Sequence, residues 1–166
     1  MHVITQLLRR DVVDQILIFP AGQPRLREHD PVATGAQRRQ MCELAVSDLP
    51  ADISSRVEVN PIEILRDGPS YTIDTVEAVA QFYEGDTIVL IVGTDAYEKI
   101  DQWHRAEELK KMVEFVVIDR PDFPGQHNTS VDAIAVSATD IRAHKSDAVP
   151  AAVAAFIKEN NLYASK

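Results

Sequence analysis

An uninterrupted apolar run, Thr87-Ile-Val-Leu-Ile-Val92, constrains the fold of this chain more than any other segment. A run of this length without alternating polar residues is typical of a strand that is buried on both faces, as in a parallel sheet between helices. Residues 15–20 and 114–118 form two further short apolar runs, and segments with helical periodicity separate the three. This alternation predicts an α/β fold with a doubly wound, mostly parallel sheet.

Helix signals lie between these runs. Thr34 and Gln37 have the spacing of a capping box, in which each side chain satisfies a free backbone amide of the other residue, and Ser137 and Asp140 repeat this spacing. With the apolar periodicity, these signals predict helices over residues 5–10, from about 35, over 72–83, over 106–112, from 137, and over 150–159. We further expect one or two strand pieces within residues 56–65, a turn at 67–70 and a last short strand over 133–136.

Size and charge limit the class of protein. The chain has 166 residues and a formal charge of −9. This length suits a single domain over residues 1–166, with a helical C-terminal part at about 137–163. The acidic excess argues against a general nucleic-acid binder but leaves room for a local positive site that binds a nucleotide. Because no apolar stretch approaches the roughly 20 residues of a membrane-spanning helix and no secretory signal is present, we expect a cytoplasmic protein without a membrane partner.

The sequence offers no recognisable set of protein metal ligands. Cys42 is the single cysteine, which rules out an internal disulfide and a cysteine-based zinc site. No two of the five histidines have a spacing such as that of HExxH. Cys42 falls in a predicted helix, and we interpret it as a small apolar residue of the core rather than as a nucleophile.

Polar residues follow the last predicted strand, at the edge where open α/β sheets bind ligands. Ser137 and Thr139 lie at the start of a helix, and Arg142 falls on its first turns. Free amides at a helix start, two hydroxyls and a guanidinium would suit a phosphate group. The alternative is a capped surface helix with a solvated arginine.

Gly93 and Asp95 follow the central strand in the same way. Glycine would let a ligand approach the backbone, and the carboxylate could hold ribose hydroxyls. The alternative is a helix N-cap formed by Thr94 or Asp95. Further along the chain, Trp103 could stack on a flat ring or be a partly buried structural residue, and we interpret His104 as a surface residue.

Taken together, these segments resemble one enzyme family. The motifs are, in chain order, Ile18-Phe-Pro-Ala-Gly-Gln-Pro24, Gln37-Arg38 with Met41, Gly68-Pro-Ser-Tyr-Thr-Ile-Asp-Thr75, Val92-Gly-Thr-Asp95, Trp103-His104, Arg120-Pro121, Ser137-Ala-Thr-Asp-Ile-Arg142 and Asn161-Leu-Tyr163. Their order is similar to that of the bacterial nicotinate-mononucleotide adenylyltransferases of the nucleotidyltransferase superfamily, from His2 to Tyr163. The Pro-Ser-Tyr-Thr block is the most specific motif, whereas other members such as pantetheine-phosphate adenylyltransferase share the Ser-x-Thr-x-Ile-Arg block.

The resemblance implies a Rossmann-like nucleotidyltransferase fold. It also implies adenylyl transfer from ATP, with Mg²⁺, to nicotinate mononucleotide, giving deamido-NAD and pyrophosphate in NAD biosynthesis. The catalytic residues it implies are His2 and Arg142. The ATP-binding residues it implies are Gly93, Asp95, Ser137, Thr139, Arg142 and Arg27. The substrate-binding residues it implies are Tyr71, Thr72, Trp103 and Arg120. The partners are the two small substrates, with no nucleic acid.

The family's first strand and most of its Gly-x-Phe-Asp-Pro-x-His-x-Gly-His loop have no counterpart here, and His2 aligns with the last histidine of that motif. That strand is central in the fold, and each unpaired buried backbone group costs about 1–3 kcal/mol. We therefore expect a start placed too late, so that the chain as written is poorly soluble or inactive and an upstream-extended form folds.

Several alternatives stay open at this point. The chain could be a catalytically impaired nucleotide-binding homologue or fragment, or a pantetheine-phosphate adenylyltransferase. The sequence also leaves open whether the acceptor is the nicotinate or the nicotinamide mononucleotide, and whether the protein is a homo-oligomer.

Overall fold

The computed structural model describes residues 1–22, 33–119, 141 and 148–163. Helices and strands alternate along most of this part of the chain. The elements are, in order, α1 (His2–Arg9), β1 (Ile16–Ile18), α2 (Gly35–Ser47), α3 (Ala51–Ser54), β2 (Val57–Val59), α4 (Ile62–Leu65), α5 (Thr72–Phe82), β3 (Val89–Gly93), α6 (Thr94–Tyr97), a 3₁₀ turn (Ile100–Gln102), α7 (Ala106–Met112), β4 (Glu114–Ile118) and α8 (Ala151–Glu159).

The described strands form two separate parallel pairs. β1 pairs with β2 over three residues, starting with Ile16 opposite Val57. β3 pairs with β4 over five residues, ending with Gly93 opposite Ile118. The parallel α/β arrangement is therefore confirmed. The sequence predicts one sheet, whereas the described strands fall in two.

The described residues cluster into two compact units. The first unit contains Met1 and the described residues of 3–69 and 141–163, and the second contains His2 and residues 70–119. Each unit holds one of the two strand pairs. The single domain over residues 1–166 stays a prediction.

An apolar cluster holds the second unit together. Ile73 and Leu109 are fully buried, at 0% exposure, and Val76, Ile100 and Val113 complete the buried set. Burial of one such side chain contributes roughly 1.5–3 kcal/mol, so the cluster fixes α5, the 3₁₀ turn and α7 relative to one another. The partly buried residues packed against it are Tyr71, Ile88, Leu90, Trp103, Met112 and Phe115.

In the first unit, α2 begins where the capping box predicts. The Gln37 amide donates to the Thr34 hydroxyl at 3.2 Å, and the Thr34 amide donates to the side-chain oxygen of Gln37 at 2.9 Å. These two bonds confirm the predicted helix start, and α2 packs against α8. The buried residues of the cluster that covers this helix pair are Ala33, Phe156 and Leu162.

Residues 56–65 contain one of the expected strand pieces. Residues 57–59 form a strand, which confirms the expectation, and the short helix α4 then begins at Ile62, where no helix was predicted. The side-chain oxygen of Asn60 accepts a hydrogen bond from the Ile62 amide at 3.1 Å, and Pro61 has the fixed φ that favours a helix start. A local side-chain hydrogen bond and a proline therefore override the weak alternation of apolar residues.

The central run is less buried than predicted. The sequence predicts burial on both faces over residues 87–92, whereas β3 covers Val89–Gly93 and Val92 is its one fully buried residue. β3 pairs with β4 along one edge, and no described strand pairs with its other edge. A strand with one neighbouring strand is more exposed to solvent than a strand in the middle of a sheet, which explains the partial burial of β3.

Most other boundaries agree with the sequence. The helices predicted over 72–83, 106–112 and 150–159 are confirmed within one residue, whereas α1 begins at His2 rather than at residue 5. The turn at 67–70 is confirmed, with Gly68 in the left-handed region at a φ of 85°. The strand predicted over 133–136 and the helix start at Ser137 lie outside the described residues.

Candidate active site

The carboxyl end of β3 leads directly into the short helix α6. Gly93 is the last residue of β3 and the N-cap of α6, and Asp95 lies in the first turn of that helix. The alternative interpretation, a side-chain cap by Thr94 or Asp95, is wrong, because α6 has no side-chain cap hydrogen bond. Two residues that were predicted to bind ATP therefore lie together at the strand end, where sheets of this class bind ligands.

Thr94 joins the ends of β3 and β4. It is 2% exposed, and its hydroxyl lies 3.3 Å from the Ile118 carbonyl oxygen and 3.1 Å from a carboxylate oxygen of Asp119. Thr94 directly precedes Asp95, and Asp119 directly precedes the predicted site residue Arg120. This contact fixes the backbone next to two predicted site residues.

A second group of predicted site residues lies at the start of α5. Tyr71 is the N-cap residue of this helix and Thr72 is its first residue. The rings of Tyr71 and His104 stack, with centroids 4.1 Å apart and an interplanar angle of 28°. Tyr71 and Trp103 both pack against the apolar cluster of the second unit. Tyr71, Thr72 and Trp103 were all predicted to bind the substrate; the first two are adjacent, and Trp103 packs against the same apolar cluster as Tyr71.

Two basic side chains close to this aromatic group in sequence already have acidic partners. Arg105 lies 2.6 Å from Glu108 and 2.7 Å from Glu77, measured between nitrogen and carboxylate oxygen. The hydrogen bonds to Glu108 and to Glu77 raise the pKa of Arg105 above its ordinary value. The same bond from Arg105 lowers the pKa of Glu108. Since Lys110 likewise pairs with two carboxylates, the positive charge that a triphosphate needs has to come from other residues.

His2 is the first residue of α1, and its contacts group it with the second unit. Its Nε2 atom is buried and has no hydrogen-bond partner, which sets it apart from every other described side-chain nitrogen and oxygen. Leaving a buried polar atom unpaired costs about 1–3 kcal/mol, so an atom of this kind calls for a partner such as a ligand. His2 is also the residue to which the resemblance assigns a catalytic role.

In the first unit, Arg38 joins the two sides of the segment that carries Arg27. Its guanidinium donates to the carbonyl oxygens of Ala21, of Gly22 at 2.8 Å and of Ala33 at 2.6 Å. Because the donors of an arginine form a rigid fork, one side chain fixes all three carbonyls. Arg27 itself lies outside the described residues.

Four more of the predicted site residues lie outside the described part of the chain, so their roles stay predictions. They are Arg120, Ser137, Thr139 and Arg142. The described contacts in turn include three residues to which the sequence analysis gave no role in a site. Thr94 and Arg38 act through hydrogen bonds that leave no periodic pattern in the sequence. His104 is exposed, as expected, but its ring stacks on Tyr71, which is distant in sequence.

The described ranges contain neither a metal-binding cluster nor a membrane-spanning helix. No group of three or more histidine, cysteine, aspartate and glutamate side chains there could hold a metal ion. Burial, followed by the charge of Glu43, raises the pKa of Cys42, which disfavours the thiolate that a nucleophile requires. No helix among residues 1–22, 33–119 and 148–163 is long and apolar enough to cross a membrane. A cytoplasmic location, the absence of a nucleic-acid partner and the oligomeric state stay predictions.

Comparison with known proteins agrees with this arrangement. The cytidylyltransferase-like family model matches residues 1–144. A probable nicotinate-nucleotide adenylyltransferase from Geobacillus kaustophilus is 31% identical over 96% of this chain and 79% of its own length. A protein of the same name from Bacillus pumilus is 33% identical over 92% of this chain and 84% of its own length.

The fold has a solved counterpart as well. The structure of Plasmodium falciparum nicotinic acid mononucleotide adenylyltransferase, complexed with NaAD, matches with a TM-score of 0.80 and 14% identity over 97% of this chain and 88% of that chain. At this identity the likeness shows the fold alone, which is the Rossmann-like α/β fold that the sequence predicts. From the family model and the two relatives, the chain belongs to the nicotinate-nucleotide adenylyltransferase family, among the cytidylyltransferase-like proteins.

Proposed function

We propose that this protein is a transferase that moves the adenylyl group of ATP to nicotinate mononucleotide and releases pyrophosphate, a step of NAD biosynthesis. The observation that carries the proposal is that Tyr71, at the start of α5 and stacked on His104, packs against the same apolar cluster as Trp103. These residues offer a flat acceptor ring a place in the same unit as Gly93 and Asp95. The names of the relatives support the same reaction.

The reaction needs alignment and charge rather than a base. A phosphate oxygen of nicotinate mononucleotide forms a bond to the α-phosphorus of ATP. The bond between that phosphorus and the oxygen that bridges to the β-phosphate breaks, and its electron pair leaves with pyrophosphate. The attacking phosphate has a second pKa of about 6 and is largely ionised at neutral pH. The protein has to align the two nucleotides and to offset their negative charge.

Nicotinate recognition is assigned to the start of α5 and to Trp103. Thr72 lies at the amino end of an 11-residue helix, where free amides and the helix dipole favour a carboxylate. Trp103 is partly buried against the apolar cluster, so its ring is fixed in place before any ligand arrives. A preorganised aromatic surface of this kind suits the pyridine ring.

The ATP side is assigned to His2 and to the end of β3. His2 presents an unpaired Nε2, which would donate a hydrogen bond to a phosphate oxygen. Asp95 and Gly93, at the end of β3, would meet the ribose and base of ATP. The resemblance alone supports the remaining roles, which are positive charge or hydrogen bonds to the nucleotides from Arg27, Arg120, Ser137, Thr139 and Arg142.

Mg²⁺ enters this scheme with ATP. The family's reaction depends on a divalent metal, and we assign this metal to the phosphates of ATP. Mg²⁺ usually keeps several water ligands and binds proteins through substrate phosphates. When bound, the ion supplies positive charge at the departing pyrophosphate.

An acceptor comparison tests the proposed function. Pyrophosphate release from Mg-ATP is measured with nicotinate mononucleotide, nicotinamide mononucleotide and phosphopantetheine as separate acceptors. We expect the fastest release with nicotinate mononucleotide. Release with phosphopantetheine alone would make the protein a pantetheine-phosphate adenylyltransferase. No release from folded protein that still binds ATP would mean a catalytically impaired homologue.

Two substitutions locate the activity. We expect His2→Ala to lower kcat about 100-fold, as the loss of one transition-state hydrogen-bond donor does. We expect Trp103→Ala to raise the KM for nicotinate mononucleotide about tenfold, as the loss of one stacking surface does. Val12→Ala, at a surface position that is 41% exposed, is the control and should leave both constants unchanged. Equal effects of all three substitutions would contradict the assignment.

A further inference from the structure

Thr94 is a polar side chain that is buried at the end of a strand. It is 2% exposed, and with Thr75 it makes up the buried polar residues of the described part of the chain. Its hydroxyl donates to the Ile118 carbonyl oxygen at 3.3 Å and to a carboxylate oxygen of Asp119 at 3.1 Å. Burial of a hydroxyl is unfavourable unless it is hydrogen-bonded, so these two partners hold the Thr94 side chain in one position.

The contact lies where the pairing of the two strands ends. Gly93 opposite Ile118 is the last pair of β3 and β4, and Thr94 and Asp119 are the next residues along the chain after each strand. The side chain of Thr94 therefore extends the connection between the strands by one residue. Since β3 passes directly into α6 at this point, the hydroxyl connects the first residue of α6 to the end of β4.

Thr94 has no hydrogen left to donate to a ligand. A threonine hydroxyl carries one hydrogen, and here that hydrogen is shared between the Ile118 carbonyl and the Asp119 carboxylate. The hydroxyl makes no cap hydrogen bond to α6 either. Any effect of Thr94 on a bound nucleotide must therefore act through the residues beside it, which are Gly93 and Asp95.

The surroundings of this contact are apolar. Val92 and Val117, which pair across the strands one residue earlier, are 8% and 6% exposed, and Ile118 is 6% exposed. A hydrogen bond in such surroundings is electrostatically stronger than one in water, and close-packed side chains leave little room for rearrangement. Loss of the Thr94 hydroxyl should therefore disturb the ends of both strands.

We propose that Thr94 is a positioning residue for ATP, whose bonds to the end of β4 hold the start of α6 so that Asp95 meets the ribose hydroxyls. The inference rests on the proposed function, which assigns the ribose and base of ATP to Gly93 and Asp95. A carboxylate that binds ribose needs a set position, because a displacement of about 1 Å in a site can cost about 100-fold in rate. The acceptor nucleotide is assigned to the start of α5, so Thr94 should affect ATP and not the acceptor.

Two substitutions separate the hydroxyl of Thr94 from its volume. Thr94→Val keeps the size and branching of the side chain and removes the hydroxyl, whereas Thr94→Ser keeps the hydroxyl and removes the methyl group. Val113→Ala is the control for general destabilisation, because Val113 is 8% exposed and precedes the opposite, amino end of β4. The KM for Mg-ATP, the KM for nicotinate mononucleotide and kcat are measured for the full chain and for the three variants.

We expect Thr94→Val to raise the KM for ATP about tenfold, in line with the loss of one hydrogen bond to a charged group, and to leave the KM for nicotinate mononucleotide unchanged. Thr94→Ser should keep the KM for ATP near its original value. Val113→Ala should lower the melting temperature without changing the KM for ATP. A KM for ATP that Thr94→Val leaves within about twofold of the original overturns the inference, because no binding has then been lost. An equal rise in Thr94→Ser or in Val113→Ala overturns it as well.

Failure of the proposed function has a different outcome. If the unaltered chain transfers adenylyl groups to neither the nicotinate nor the nicotinamide mononucleotide, the proposed reaction is wrong. The role of Thr94 is then measured by calorimetric binding of Mg-ATP to the same four proteins. Weaker binding by Thr94→Val than by Thr94→Ser supports the inference on its own. Equal binding by these two variants, or no binding by the unaltered chain, overturns it.

Discussion

The two units of this protein reach the same kind of structure by different means. In the second unit, five residue pairs join β3 and β4, and an apolar cluster with two fully buried side chains fixes α5 and α7. In the first unit, only three pairs join β1 and β2, and two arginine side chains make many of the contacts between segments that are distant in sequence. Arg38 binds the carbonyls of residues 21, 22 and 33, and Arg56 binds those of residues 8, 13 and 14.

This difference teaches that a small α/β unit can replace part of its strand pairing with guanidinium–carbonyl bonds. An apolar cluster is non-directional and gains free energy in proportion to buried area. An arginine fork is directional and fixes a few chosen carbonyls. The second unit should therefore be sensitive to the loss of apolar volume. The first unit, which also has fully buried leucines, should in addition be sensitive to the loss of single polar groups.

The largest expected effect is in the second unit. Leu109→Ala removes a side chain with 0% exposure from the apolar cluster, and we expect a loss of about 2–5 kcal/mol in the free energy of unfolding. Urea unfolding followed by circular dichroism measures it. Leu65→Ala, at a position that is 74% exposed, should change the free energy little. Equal losses of unfolding free energy in the two leucine variants would show that the apolar cluster does not stabilise the second unit in particular.

A smaller effect is expected in the first unit. Arg56 donates to the carbonyls of Asp14 at 2.7 Å, Val13 at 3.0 Å and Leu8 at 3.1 Å. Arg56→Met keeps much of the volume and removes these donors, so we expect a loss of about 1–3 kcal/mol. Arg39→Met removes an exposed pair with Glu43 and should cost no more than about 0.5 kcal/mol.

Hydrogen exchange sharpens this second comparison. In Arg56→Met, amide protons of β1 and β2 should exchange faster, while those of β3 and β4 keep their original rates, because local opening follows the contacts that are lost. If Arg56→Met and Arg39→Met were equally stable, the arginine fork would have no special role in the first unit.

The smallest expected effect concerns the capping box of α2. Thr34→Ala removes the acceptor for the Gln37 amide, and we expect a loss of about 1 kcal/mol. Thr34→Ser keeps a hydroxyl and should lose less than half as much. Thermal unfolding of the two variants measures the difference, and identical melting temperatures would show that the hydroxyl bond contributes nothing.

Most of the fold could be predicted because its signals are local or periodic. The capping box of Thr34 and Gln37 and the apolar periodicity of α5 and α7 each predict an element that the structure confirms. The helical turn after Asn60 could not be predicted from alternation, because it begins with a proline and a single hydrogen bond from the Ile62 amide to the Asn60 side chain. The partial burial of β3 depends on its sheet neighbours, about which its own residues carry no information.

The candidate site was predicted to a lesser extent. Gly93, Asp95, Tyr71, Thr72 and Trp103 could be named because their motifs are contiguous and specific. The stack of His104 on Tyr71 and the bond from Thr94 to Asp119 join residues far apart in the chain. Contacts of this kind leave no spacing pattern in one sequence, and they are the ones that position the predicted residues.

The most direct test of the central claim follows the α-phosphorus itself. The full chain is mixed in excess with ATP labelled at the α-phosphate, in the presence of Mg²⁺ and nicotinate mononucleotide, and the products are separated after a single turnover. Adenylyl transfer predicts that the label moves into a dinucleotide as unlabelled pyrophosphate appears. Label that stays in ATP, or that appears in AMP without a dinucleotide, would contradict the account.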